Sequence, residues 1–517
     1  MMNAAGRDIP DELLVNGREV YQGPGHRDGT FMQKRGPRIR IAETPRESKV
    51  LPSIREAILK CGLKDGMTIS FHHHFRNGDY VVNMVMKEVA ALGIKDITIA
   101  ASSLGSAHDP VARYIEDGVV TGIQTSGIRG KIGEAVSAGK LKTPAILRSH
   151  GGRVRAIEEG EVHIDVAFIG APTSDEYGNC RAVGGKSDCG VLSYAMVDSE
   201  YADKVVVITD TLVPFPNFPA SIRGINVDYV VKVDEIGDPK KIATAAARMT
   251  QNPRDLMMAE TTAKIMAATP WFKDGFSFQT GAGGPSLAVN RFIEPLMRQR
   301  GITMSFAVGG IAGAICELQR KGLVNCIVDT QDFDTDAIAD IRTNPRHFEI
   351  SASEYANPAN KGAFVNKLDF VILAALEVDT DFNVNVITGS DGVLRGAPGG
   401  HPDTAAGAKC TIIVTPLTRG RMATVCERVV TVTTPGQCVD VVVTEYGTAV
   451  NPRRQDIIDC LDAAGIPHVT IKELQEKAYS LVGRPDPLQW KDKVVAILEA
   501  RDGTILDVVR EIKPYEP

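Results

Sequence analysis

No run of apolar residues in this 517-residue chain approaches the roughly 20 needed to cross a bilayer, so no transmembrane helix is expected. The opening residues, MMNAAGRDIPDELL, contain no apolar stretch of the signal-peptide kind, so no secretory leader is expected either. A basic excess is also missing: 58 Lys and Arg stand against 64 Asp and Glu, a formal charge of −6. Dedicated nucleic-acid binders carry a basic face, so that class of partner is not expected. The nine cysteines are odd in number and include no CxxC pair. They read as reduced thiols, mostly small buried hydrophobes, rather than a disulfide frame. These absences favour a cytoplasmic location.

What is present is ordinary in bulk. Apolar residues make up 43% and charged residues 24%, as in globular proteins, and the length asks for two to four domains. Residues 1–48 look like an extended N-terminal arm. Within it GPGHRDG (23–29) is turn-rich, and QKRGPRIR (33–40) carries four cations without an acid. From Lys49 onward, short β-rich runs alternate with helical stretches such as DYVVNMVMKEVAALG (79–93). The runs include MTISF (67–71), IDVAFIG (164–170) and KVVVITD (204–210). That alternation predicts a mostly parallel open α/β sheet, whose ligands bind beyond the carboxyl ends of its strands.

The chain also repeats itself. KDGMTISFHHHFRNGDYVVNMVM (64–86) answers KDGFSFQTGAGGPSLAVNRFI (273–293), and IEDGVVTGIQTS (115–126) answers LQRKGLVNCIVDTQ (318–331). Further on, HIDVAFIGAPTSDEYGN (163–179) answers KLDFVILAALEVDTDFN (367–383), and VDYVV (227–231) answers VDVVV (439–443). Order and separation are both kept. Two tandem homologous open-sheet α/β domains are therefore expected, over 49–255 and 256–517.

The repeat sets His72, His73 and His74 against Gly281, Ala282 and Gly283. One strand-to-helix loop is thus histidine-rich in the first copy and glycine-rich in the second. Adjacent strand residues point to opposite faces, and no HExxH or CxxC completes a ligand set, so no metal is expected here. His72 and His73, with Arg76, are instead candidates for holding an anionic substrate. Gly281, Gly283 and Gly284 let backbone N–H groups approach a ligand at a helix start, which suits an oxyanion or a phosphate. Neither a P-loop nor a full GxGxxG is present there. TGSDGVLRGAPGGHPDTAAGAK (388–409) spends six glycines with Arg395, His401, Asp403 and Lys409 interleaved, as a binding surface of backbone and charged anchors would. Its counterpart is DEYGNCRAVGGKSDCG (175–190), and SHGGR (149–153) adds a histidine and an arginine.

These segments resemble the CoA-transferase superfamily. DEYGN (175–179) is similar to its Ala-Asp-x-x-Gly-Asn region, and GGHPDTAAGAK (399–409) to its Gly-Gly-x-x-Asp region. Within it, SHGGRV, HIDVAFIG, FSFQTGAGGPSLAV, EVDTDFNVNVITGSDGVLRGAPGGH and AVNPRR resemble the citrate lyase alpha subunit family, from about residue 50 to the C-terminus. The resemblance implies a transferase that exchanges acetyl for citryl on the thiol of a CoA-like group. That group would be the phosphoribosyl dephospho-CoA of an acyl carrier (gamma) subunit, with a beta subunit cleaving the citryl thioester. It further implies citrate and an acetyl thioester as substrates, a homo-oligomer within a cytoplasmic complex, and no cofactor bound by this chain itself.

On that chemistry Gly281, Gly283 and Gly284 become the oxyanion cradle. His72, His73, Arg76, Arg395 and His401 become substrate ligands, and Gly399, Gly400 and Asp403 hold the CoA thioester. Many relatives use a glutamate nucleophile in the second half. Here SFAVGGIAGAICELQRKG (305–322) has Val308 or Gly309 in that slot, which implies direct exchange without a glutamyl thioester. Two alternatives stay open: a catalytically silent assembly scaffold, and a transferase or hydrolase for another acid that works through Glu377 or Glu176.

Overall fold

The computed structural model describes residues 1–31, 34–37, 46–243, 250–281 and 283–513. One sheet collects β1 (Val50–Leu51), β2 (Thr68–Phe71), β3 (Ile97–Ala101), β4 (Val120–Thr125), β5 (Ala145–Leu147), β6 (Val166–Ala171), β7 (Lys204–Thr209) and β8 (Tyr229–Lys232). A second collects β9 (Ser277–Thr280), β10 (Met304–Ile311), β11 (Val324–Asp332), β12 (His347–Glu349), β13 (Phe370–Leu373), β14 (Cys410–Val414), β15 (Val441–Thr444) and β16 (Gly447–Val450). A closing hairpin, β17 (Trp490–Glu499) and β18 (Ile505–Ile512), completes the strands that matter here.

The first sheet runs β1-β8-β7-β6-β2-β3-β4-β5-β17-β18, and the second β12-β11-β10-β9-β13-β14-β15-β16. Followed from its other end, the second contains β15-β14-β13-β9-β10-β11-β12. That is the path β8-β7-β6-β2-β3-β4-β5 of the first. The duplication visible in the sequence is therefore a duplication of topology. All pairings in both sheets are parallel except β15 with β16 and β17 with β18.

Parallel strands covered on both faces need continuous apolar runs. In β7, Val205, Val206, Val207 and Ile208 are all fully buried. Helices cover the faces with apolar stripes: α1 (Val81–Ala91) turns Val82, Val85, Met86 and Val89 onto the core, the i, i+3, i+4, i+7 pattern of an amphipathic helix. Among the described residues no helix is long and apolar enough to cross a membrane.

Two departures from the expected domain limits have one cause. Residues 490–512, expected in the second half, extend the first sheet, with Ala496, Ile497 and Leu498 pairing parallel to β5. The N-terminal arm then folds onto this hairpin instead of standing free. Ile505 N–H donates to the Glu19 carbonyl at 2.8 Å, and Tyr21 N–H to the Ile505 carbonyl at 3.0 Å. Arg7 Nε lies 2.8 Å from Asp507, both nearly buried. Ile9, Val20 and Tyr21 are almost completely buried, and that apolar surface is what docks the arm. Of the basic run 33–40, Gln33, Arg38, Ile39 and Arg40 lie outside the described residues, while Lys34 pairs with Glu158 at 2.5 Å.

The DEYGN segment and its repeat are the same anchored turn. Asp175 Oδ1 accepts from Tyr177 and Asn179 N–H, each at 3.0 Å. Asp379 Oδ1 accepts from Asp381 and Asn383 N–H at 3.0 and 2.9 Å. Each asparagine then accepts a glycine N–H, Gly224 at 2.8 Å and Gly436 at 2.9 Å. Short polar side chains closing on nearby backbone are loop-holding devices. Neither turn lines the cavity between the two halves.

Candidate active site

The loops that follow β2 and β9 meet across a cavity of about 570 Å³ between the two halves. It opens beyond the carboxyl ends of the strands, as an open α/β sheet requires. The loops after β3, β4 and β5, the carboxyl ends of β10, β11 and β13, Tyr194, Tyr355 and the glycine-rich segment 397–401 supply most of the rest of its wall.

The histidine run splits by strand alternation. His73 lines the cavity. Its amide donates to Ser102 Oγ at 2.9 Å, and the same hydroxyl lies 2.6 Å from its Nδ1. Its ring stacks on His150 with centroids 5.4 Å apart and lies tilted against Tyr194 at 4.5 Å. Burial, and then the charges of His150 and neighbouring cations, hold His73 well below the usual histidine range, so it is neutral at pH 7. His72 and His74 point the other way. His72 Nε2 meets the Asp198 carboxylate at 3.0 Å with both side chains fully buried, and Arg153 clamps the same carboxylate at 2.8 and 2.7 Å. His72 is thus a core residue and not a substrate ligand. His74 Nε2 is 2.9 Å from the Gly170 carbonyl, and burial lowers its pKa to about 4.

Two cations face the cavity, and neither has a carboxylate partner among the described residues. Arg76, at a left-handed φ of 52°, donates to the Phe333 carbonyl at 3.3 Å and lies over the Phe333 ring at 5.0 Å. Burial and the charge of Arg129 lower its pKa. Arg129 begins the helix after β4 and opens into the same cavity. Arg395, expected beside them, is exposed and tied to Asp391 in its own turn. It does not line the cavity.

The glycine cradle is narrower than the sequence suggests. Gly281 lines the cavity, but its N–H continues the sheet to the Ile372 carbonyl at 2.7 Å, so it is not a free oxyanion donor. Gly283 also lines the cavity as the N-cap of α2 (Gly284–Arg300), and among the described residues its N–H meets no acceptor. The first N–H groups of a helix are unpaired and lie at the positive end of its dipole. Gly284 starts that helix one residue behind the lining.

In the second glycine-rich loop, Gly399, Gly400 and His401 line the cavity. A Cβ at Gly400 would sit 2.5 Å from the Tyr355 hydroxyl, so a side chain there would displace the wall. His401 has both ring nitrogens engaged, with Thr434 Oγ1 at 2.7 Å and the Ala374 carbonyl at 3.0 Å. The carbonyl can only accept, so Nε2 carries the proton and Thr434 donates to Nδ1. Burial lowers its pKa to about 4; it shapes the wall without a nitrogen to offer. Asp403 is fully buried outside the lining. It accepts from Ser149 Oγ at 2.7 Å and from the Gly151 amide at 2.8 Å, bolting the second half to the first. Burial raises its pKa to about 6.

The slot in which the resemblance led us to look for a glutamate holds Val308 and Gly309. Val308 is buried, and Gly309 has φ 104° with space for a Cβ taken by Gln279 Nε2 at 2.4 Å. Gln279 donates to the Tyr355 hydroxyl at 2.8 Å, and its Oε1 has no partner among the described residues. Among the described lining residues none is Asp, Glu or Cys. Glu377 is held away from the cavity by Asn385 and the Val430 amide, and Glu176 is exposed. Sequence reasoning noted His150 only as the histidine of SHGGR and passed over Arg129, Tyr194, Gln279 and Tyr355. Arg129 follows β4 as His150 follows β5, where the strand-end rule alone would have pointed.

Over residues 47–512 the chain matches the family described as "Citrate lyase, alpha subunit (CitF)". It is 53% identical over 501 residues to the citrate lyase alpha chain of Klebsiella pneumoniae, covering 97% of both chains. The chain belongs to the citrate lyase alpha subunit family. Against the alpha chain of Escherichia coli (strain K12), identity is 50% over 472 residues, 91% of this chain and 92% of that one. A crystal structure described as an alpha subunit of citrate lyase in complex with citrate, from Streptococcus mutans, superposes with a TM-score of 0.96 at 52% identity. It covers 99% of this chain and 100% of that one. A 4-hydroxybutyrate CoA-transferase from Porphyromonas gingivalis, at 19% identity and a TM-score of 0.54, covers 84% of this chain and 98% of its own and shares the fold. A citrate lyase alpha subunit is a transferase component of citrate lyase, related to CoA-transferases, and one subunit of a multi-subunit complex.

Proposed function

We propose that the cavity between the halves exchanges acetyl for citryl on the thiol of a CoA-like group, with no enzyme-bound acyl intermediate. The observation that carries this reading is the lining itself: two unneutralised arginines and no described carboxylate or thiol. A carboxyl group with a pKa near 4 is ionised at pH 7, so citrate brings about three negative charges. Arg76 and Arg129 supply the matching cations, and a guanidinium binds carboxylate through paired N–H donors.

In the first step a citrate carboxylate oxygen attacks the acetyl thioester carbonyl. The C–S bond breaks, the thiolate leaves, and a citryl–acetyl anhydride remains. In the second, the thiolate attacks the citryl carbonyl and acetate departs. Each step passes through a tetrahedral oxyanion, for which the Gly283 N–H at the start of α2 is the fixed donor. With the Ser102 hydroxyl donating a hydrogen bond to His73 Nδ1, the neutral ring carries its one proton on Nε2 and donates a hydrogen bond to the substrate. No side chain needs to gain or lose a proton; the work is positioning and electrostatics. The thiol would arrive on the phosphoribosyl dephospho-CoA of a carrier subunit, beside a beta subunit that cleaves citryl thioester, in a cytoplasmic assembly containing several copies of this chain. The citrate named with the Streptococcus mutans structure supports the substrate class.

Purified chain, citrate and acetyl-CoA should yield citryl-CoA and acetate. No product at high enzyme concentration would leave a silent scaffold as the better account. Borohydride treatment during turnover, followed by peptide mass mapping, tests the mechanism separately. A reduced glutamate at Glu377, Glu176 or any other position would overturn direct exchange.

A further inference from the structure

Behind the cavity wall, at the carboxyl end of β11, lies a buried group of ligand-type side chains that the exchange reaction does not use. Asp329, Asp332 and His347 are 0%, 2% and 5% exposed, and one donor atom from each falls within 4.8 Å of the others. His347 Nε2 is 3.2 Å from Asp329 Oδ2. Gln331 N–H occupies the other oxygen, Asp329 Oδ1, at 2.7 Å. Neither oxygen of Asp332 meets a hydrogen-bond donor among the described residues, although both are buried. An ionised carboxylate without a partner is among the costliest groups to bury.

The other side of His347 is arranged as a supporting shell. Its Nδ1 lies 3.1 Å from Asp340 Oδ2, and Asp340 is in turn held by Asn344 Nδ2 at 2.7 Å and Arg320 at 3.1 Å. A histidine that donates Nδ1–H to a carboxylate has its Nε2 lone pair free and fixed in direction, the arrangement found behind metal-binding imidazoles. Asp340 is neutralised by Arg320, whereas among the described residues no Lys or Arg pairs with Asp329 or Asp332. Gly190 of the first half closes the group, with space for a Cβ only 1.5 Å from Asp332 Oδ2.

We propose that Asp329, Asp332 and His347 Nε2 bind one divalent transition-metal ion, of the Zn²⁺ or Mn²⁺ kind that accepts mixed imidazole and carboxylate ligands. The ion is structural. It fixes the end of β11, from which Gln331 reaches the His73 carbonyl at 3.4 Å and Phe333 holds Arg76.

The test uses the full chain, stripped with chelator and titrated with Co²⁺ in the absence of any substrate, so its outcome is independent of the exchange reading. One Co²⁺ per chain with a ligand-field absorption displaced by Zn²⁺ is expected. Asp332→Asn should abolish the absorption while melting no lower than the stripped wild type, because it removes a buried charge. Asp340→Asn should weaken Co²⁺ binding by about 10- to 100-fold, the usual effect of a supporting ligand. Folded wild-type chain that binds no Co²⁺, or Asp332→Asn that binds it as wild type does, would overturn the proposal and leave a carboxyl pair sharing a proton.

Discussion

Replacing Arg76 or Arg129 with methionine separates substrate binding from folding in opposite directions. Among the described residues neither guanidinium has a carboxylate partner; the hydrogen bond from Arg76 goes to a carbonyl, Phe333 O at 3.3 Å. In the folded chain the two charges therefore stand against each other, and the Arg129 charge depresses the Arg76 pKa. Bound to a citrate carboxylate, each should supply a charge-assisted hydrogen bond worth about 1.5–3 kcal/mol. At 1.36 kcal/mol per decade, that is roughly a 10- to 150-fold rise in KM for citrate in each variant. KM for acetyl-CoA should stay within about twofold, because the thioester carries no charge at its reacting end. Removing one of two like charges should also stabilise the chain by about 0.5–2 kcal/mol, as substitutions at functional sites often do. Steady-state exchange kinetics and a urea midpoint on the same preparations read both effects. The reasoning fails if KM for citrate is unchanged, or if the loss falls equally on both substrates.

The glycines give two further tests. Gly309→Ala, at φ 104° and against Gln279, should cost about 1–3 kcal/mol in the urea midpoint; a neutral result would mean Gln279 is free to leave that slot. Gly283 has φ −73° and a Cβ position 3.5 Å from Ala374. Gly283→Val should therefore fold normally and lose turnover by narrowing the cavity, and wild-type activity in it would count against the cradle. Asp403→Asn sets an amide NH₂ or a weaker acceptor against Ser149 and Gly151, costing about 1–3 kcal/mol; an unaltered midpoint would deny it the bolting role. For pH, the unfolded chain protonates histidine near 6.5, while burial holds folded His150 to about 3 and His74 and His401 to about 4. Protons then favour the unfolded state, so stability should fall as pH drops from about 6.5 toward 4, by up to about 1.4 kcal/mol per pH unit for each histidine. A melting temperature flat across that range would contradict neutral burial.

The repeat was the most legible feature of the sequence, because both copies keep the strand-end loops that the sheet order needs. Pairing 64–86 with 273–293 set the histidine loop 72–74 against the glycine loop 281–283, and His73 of the one and Gly283 of the other do line one cavity. What sequence could not separate was orientation within a loop. His72 and His73 are neighbours in the chain, yet strand alternation sends one to Asp198 and the other to the cavity. Arg395 and Asp403 carried the right chemistry in the right segment, but a local partner took the first and an interdomain one the second. Gly281 illustrates a further limit, since a glycine N–H is available only if the sheet has not already claimed it. The fate of the C-terminus was invisible for another reason: β17 and β18 have no counterpart in the repeat, and nothing local says which sheet edge they will extend.

That last placement bears on how the molecule comes into being. Strand β5 is made early, yet the strand that covers its open edge begins at Trp490. Until the final segment has left the ribosome, the first sheet ends in a row of unpaired backbone groups, an invitation to wrong partners. The N-terminal arm waits as well, since Glu19 and Tyr21 close onto Ile505. The half made first is therefore the half finished last, and truncation at the C-terminus should damage the domain at the opposite end of the chain.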